Sequence, residues 1–109
     1  MGEKRKVVMI PYDRAPYITS VSDSLENLQK IVGGYIELLS FASDGALVMN
    51  EEGKIIGLPL NRTASLMFGI PIVGDTFLIG INGEEFDSLS DEVARWFLKE
   101  AKGAWGETE

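Results

Sequence analysis

The sequence predicts an α+β domain: a mainly antiparallel, curved sheet of five to six strands, with two longer helices and one short helix. Three observations lead there. Short β-branched or aromatic runs recur along the chain, separated by turn residues rather than by long helical stretches. Asn82-Gly83 between two such runs is the strongest short hairpin signal. Two other segments show helical spacing of apolar residues behind a capping residue.

Taken in order, Lys6 to Pro11 is a short strand closed by proline, apolar enough to lie centrally. Tyr17 to Val21 is a second short strand after a turn. Asp23 to Val32 is the first helix, with Asp23 as its cap, Glu26 returning the bond, and Leu25, Leu28, Ile31 and Val32 as its apolar stripe. Gly33-Gly34 ends it. Tyr35 to Phe41 is the next strand. Ala46 to Met49 and Lys54 to Leu58 are read as a hairpin around Asn50-Glu-Glu-Gly53, where asparagine and glycine suit the turn. Asn61 caps a short helix over Arg62 to Phe68. Asp75 to Ile81 and a brief partner near Glu84 to Phe86 form the second hairpin. Ser90 caps the last helix, Asp91 to Lys102, with Val93, Trp96, Phe97 and Ala101 as its stripe. Gly103 should stop it, leaving one domain over residues 1–103 and a loose tail over 104–109.

Composition narrows the chemistry. With 109 residues and 45% apolar content the chain supports one core. It contains no cysteine and no histidine, which removes disulfides, thiolate nucleophiles, the commonest general base and the commonest metal ligand. Catalysis would have to rest on carboxylates, lysine, tyrosine or hydroxyls, and a non-enzymatic protein without cofactor or metal is the expectation. The 17 acidic and 10 basic residues give a net charge of −7, which opposes direct nucleic-acid binding and suits a basic protein partner or a locally built ligand pocket. The short run Lys4-Arg5-Lys6 reads as a solvated end. No apolar run approaches the roughly 18 residues of a membrane helix, and the start lacks the apolar core of a signal peptide. A cytoplasmic protein without membrane contact is expected.

The candidate site is the polar set Asn50, Glu51, Lys54, Asn61 and Arg62, with Tyr35 as a stacking residue. An arginine at a helix start, beside free backbone N–H groups, suits a phosphate or carboxylate. The alternative is that Asn50 is a turn residue, Asn61 a cap and Arg62 a surface charge. Seven extended residues span up to about 24 Å, so one pocket holding both ends needs a bend at Gly57 and Pro59 or a second protomer. The pairs Glu51-Glu52 and Glu84-Glu85 sit at turns and read as solvated. Gly69, Gly74 and Gly80 lack the Lys-Ser/Thr of a phosphate loop. Tyr12, Tyr17 and Tyr35 could stack on a base, although half-buried sheet positions are the commoner use.

The segments Leu28 to Glu37, Asn50-Glu-Glu-Gly-Lys54, Gly57-Leu-Pro-Leu-Asn-Arg62 and Gly74-Asp-Thr-Phe77 together resemble a phage and mobile-element family filed as domain of unknown function 3846. The resemblance spans roughly residues 6 to 92. It implies no activity; it implies an accessory-gene context, in which small proteins often act against host defences. Three function classes follow. One is a binding module holding an anionic nucleotide-like ligand, within one chain or between subunits of a homo-oligomer. Another is an acidic interaction protein that blocks a host enzyme's nucleic-acid-binding surface. The last is an enzyme using carboxylate or lysine chemistry.

Overall fold

Val7 and Val8 are both fully buried, as are Leu47 and Val48, and Phe77 and Leu78. Neighbouring residues on a strand point to opposite faces, so these three strands bury both faces and need cover on each. The computed structural model, which describes residues 2–105, supplies that cover with helices on both sides of one open sheet. The elements are β1 (Lys4–Ile10), β2 (Tyr17–Ser22), α1 (Leu25–Val32), β3 (Ile36–Phe41), β4 (Gly45–Asn50), α2 (Arg62–Phe68), β5 (Thr76–Asn82), β6 (Glu85–Asp87) and α3 (Asp91–Trp105). The strand order is β2-β1-β5-β4-β3, with β6 paired to β5 beyond the end of its contact with β1. Every pairing among the described residues is antiparallel. The α+β class is the expected one, and the described residues form six strands, where five to six were expected, and three helices.

The two layers of core alternate along each strand. Leu28 and Val32 of α1 pack with Val7, Val48, Phe77 and Ile79. On the other face, Ala64 of α2 and Ala94, Phe97 and Ala101 of α3 pack with Val8, Ile10, Leu47 and Leu78. β1, β4 and β5 are central, so their sequences run apolar without alternation, whereas the edge strands β2 and β3 remain mostly half-buried or exposed.

Four local expectations are corrected. Lys54 to Leu58 is not a strand. Residues 51–57 form consecutive turns, in which Asn50 O accepts from Gly53 N, Glu52 O from Ile56 N and Gly53 O from Leu58 N. The edges of β4 are already taken by β3 and β5, so no return strand can pair with it. Ser24, not Asp23, caps α1: its Oγ accepts from Asn27 N at 3.2 Å, while the Asp23 carboxylate accepts from Glu3 N and Arg5 Nε, both at 2.8 Å. Leu25 and Trp96 are exposed, and Ala94 takes the buried place on α3 that periodicity assigned to Trp96. Finally, α3 runs through Gly103 to Trp105. Only residues 106–109 of the expected tail lie outside the described residues.

Two glycine substitutions separate these roles. Gly103 stands in the helix with open space where a Cβ would sit, so Gly103→Ala should raise stability by up to about 1 kcal/mol in urea unfolding. A Cβ on Gly80 would lie 2.3 Å from the carbonyl oxygen of Ser88, which crosses over β5. Gly80→Ala should therefore cost about 1–3 kcal/mol in the same measurement.

Candidate functional site

Asn61 makes three side-chain hydrogen bonds and has no exposed surface. Its Nδ2 donates to Ile10 O and to Gly74 O, both at 2.8 Å. Its Oδ1 accepts from Ala64 N at 3.0 Å, which is the cap expected from the sequence. Both amide protons and the carbonyl oxygen are thus engaged inside the fold. One side chain ties the start of α2 to the end of β1 and to the loop before β5.

Asn50 plays a parallel part on the opposite face. It is 8% exposed; Nδ2 donates to Val32 O at 3.0 Å and Oδ1 accepts from Glu52 N at 2.7 Å. The first bond holds the last carbonyl of α1 against the end of β4. The second starts the coil over residues 51–57. Gly33 adopts φ 82 and donates to Gln29 O, closing α1. The second glycine has a different reason: a Cβ on Gly34 would come within 2.9 Å of Asn50 Nδ2. Helix cap and asparagine contact together account for the glycine pair.

The fold therefore divides the six candidate residues. Tyr35 and Asn50 line a groove of about 550 Å³ between the end of α1 and the coil, together with Gln29, Lys30, Glu52 and Ile56. Glu51, Lys54, Asn61 and Arg62 are not part of its lining. Arg62 is exposed at the start of α2, across the sheet, and makes no ion pair among the described residues. Glu51 and Lys54 are exposed on the coil, and Glu51 N donates to Tyr35 O at 2.9 Å. Tyr35 is 68% exposed, far from the half-buried sheet position that its residue type alone favours. Gln29, Lys30, Glu52 and Ile56 were not legible as site residues. The nearest signal was the Gln29-Lys30 pair in a last helical turn that runs into Gly-Gly-Tyr; nothing comparable marked Glu52 or Ile56.

The basic run Lys4-Arg5-Lys6, expected to be a solvated end, is engaged within the fold at Arg5 and Lys6. Arg5 Nε meets Asp23 at 2.8 Å and its Nη1 meets Asp87 at 3.4 Å, while Lys6 pairs with Asp91. The Arg5 hydrogen bond holds the Asp23 carboxyl below its ordinary value, and the Lys6 hydrogen bond does the same for Asp91. Among the described residues no three carboxylates converge as a metal site, and no helix is long and apolar enough to cross a membrane.

A family model, Domain of unknown function (DUF3846), matches residues 5–102. The chain belongs to this family. The DUF3846 match takes in the whole sheet from Arg5 onward and α3 as far as Lys102, so it runs ten residues past the resemblance visible in the sequence motifs. No curated protein matches the sequence. Among solved structures, the DUF3846 chain is similar to the small RNA methyltransferase HEN1, with a TM-score of 0.62 at 16% identity. The similarity covers 91% of this chain and 16% of HEN1, and it is a likeness of fold.

Two measurements test these assignments. Asn61→Ala removes the cap and leaves two buried carbonyls without the amide, so it should cost about 3 kcal/mol in urea unfolding. Asn61→Asp keeps the cap acceptor yet faces two carbonyl oxygens with a carboxylate, and it should cost at least as much. For Asp23, whose folded value is depressed, the stabilisation is present above the ordinary value of 3.8 and is lost as pH falls through the folded value. Acid unfolding from about pH 5 downward should therefore be shallower in Asp23→Asn than in the parent.

Proposed function

We propose that this protein is a non-catalytic binding module that holds a planar, anionic nucleotide-like ligand in the groove beside Tyr35. The observation that carries this reading is the pairing of an aromatic ring, 68% exposed, with Lys30 at the rim of a groove of about 550 Å³. That volume lies within the range of small-molecule sites, roughly 300–1,000 Å³. A base stacks on Tyr35, a contact open to any nucleobase because each has a π face. Lys30 supplies the cation for a phosphate. Glu52 and the Gln29 amide offer acceptors to an exocyclic amine, and Ile56 covers the apolar edge.

The end of α1 carries partial negative charge, which favours the phosphate near Lys30 rather than over Gly33. Asn50 also serves the site indirectly, by starting the coil that carries Glu52 and Ile56. In the accessory-gene context implied by the family resemblance, such a module acts as a sponge for a host nucleotide signal. The open edges of β2 and β3 suit assembly into a homo-oligomer.

Native mass spectrometry of the purified protein, alone and with a mixture of cyclic mono- and dinucleotides, tests the proposal. A discrete added mass is expected, reduced at least tenfold in occupancy by Tyr35→Ala or Lys30→Gln and retained in Arg62→Ala. Unchanged apo masses in every mixture, or equal loss in Arg62→Ala, would overturn it.

A further inference from the structure

The β3–β4 hairpin has a second groove at its other end. Ile36 pairs with Asn50 beside the Tyr35 groove, whereas Phe41 pairs with Gly45 at the turn. A six-residue strand separates the two ends by roughly 17–20 Å. The second groove, about 710 Å³, lies between this turn and the start of α3 and is lined by Phe41, Asp44, Ser90, Glu92, Val93 and Trp96.

Its chemistry is the reverse of a phosphate site. Trp96 is 49% exposed, although its neighbour on the helix, Phe97, is fully buried. Its ring stacks on Phe41 with centroids 6.2 Å apart and an interplanar angle of 29°. Phe41 is held edge-on by Phe68 at 5.5 Å and by Phe97 at 6.2 Å. The indole is thereby mounted on a fixed aromatic base. Asp44 and Glu92 are exposed, and neither makes an ion pair among the described residues, while the neighbouring Asp91 is taken by Lys6. A helix start would by itself attract an anion, but the Ser90 hydroxyl already accepts from Val93 N and the two carboxylates set the opposite sign.

We infer that this groove receives an arginine side chain of a basic partner protein. A guanidinium is planar, weakly hydrated and always charged, so it can stack on the indole while donating to carboxylates at its edge. Lysine offers a compact, strongly hydrated charge with no flat face to match. The net charge of −7 steers a basic partner toward the surface, and the groove supplies the specific contact. This assignment is independent of the nucleotide reading, since no residue is shared between the two grooves.

The test is a two-dimensional amide NMR titration of the full chain with Nα-acetyl-arginine amide at physiological ionic strength. Nα-acetyl-citrulline amide, a neutral planar isostere, and Nα-acetyl-lysine amide are the controls. Arginine amide should shift the Trp96 indole N–H and the backbone amides of residues 42–44 and 92–93, and neither control should do so comparably. Trp96→Leu should weaken the response roughly two- to fivefold, the size of an exposed cation–π contact. The surface pair Asp44→Asn with Glu92→Gln should weaken it further without altering the spectrum elsewhere. Equal shifts with citrulline or lysine amide would overturn the inference. So would shifts outside the groove, no shift at all, or an undiminished response in Trp96→Leu.

Discussion

The structure depends on two rows of side chains that run across the sheet. Met9, Phe77, Val48 and Leu38 stand opposite one another on one face, and Val8, Leu78, Leu47 and Leu39 on the other. Cross-strand neighbours of this kind are the unit of sheet stabilisation, and here both rows are apolar at their centres. A sheet greasy on both sides cannot leave either face in water, which obliges the chain to provide helices above and below it. With 109 residues and an α1 of only eight, that cover is narrow. It protects β1, β5 and β4 and runs out at β3, whose Leu38 remains 48% exposed. The grooves at the two ends of the β3–β4 hairpin lie where the cover ends.

The polar side chains most suggestive of a ligand site hold this arrangement together instead. An asparagine amide can donate twice and accept at the same time, which makes it suited to strand ends where several backbone groups lack partners. Asn61 joins β1, α2 and the loop before β5, and Asn50 joins β4, α1 and the coil after it. Leaving such buried backbone groups unpaired costs about 1–3 kcal/mol each, so both asparagines are strongly constrained by folding. The surface chemistry falls to residues at the rims: Tyr35 and Lys30 in one groove, Trp96, Asp44 and Glu92 in the other.

Much of the fold was legible because its signals are local. Ser90 and Asn61 cap the helices expected of them, the sheet is antiparallel, and β5 and β6 form the expected hairpin, with its turn at Gly83-Glu84, one residue later than the Asn82-Gly83 signal placed it. The errors have one source. Asn50 at a turn start looks the same whether the chain returns as a strand or coils away, and only the occupation of both edges of β4 distinguishes the two. Asp23 and Ser24 are both good caps, and the choice fell to Ser24 because Arg5, 18 residues earlier, claims Asp23. Trp96 fits the apolar stripe as well as Ala94 does, but the space beneath α3 is filled by Phe97 and Ala94, and the indole is turned toward Phe41.

By itself, then, the sequence determined most of the element types, the antiparallel class, the caps of α2 and α3 and the absence of thiol and imidazole chemistry. Each of these follows from backbone propensities, nearby hydrogen-bonding groups or residue identity. The tertiary structure alone decided which polar groups face solvent. Asn50 and Asn61 went inward because backbone carbonyls from distant segments meet them, Tyr35 stayed outward past the end of the eight-residue α1, and Trp96 stayed outward because Ala94 and Phe97 fill the space beneath α3. An apolar run marks a central strand such as β1, but the burial of a single polar side chain is a property of the assembled layers.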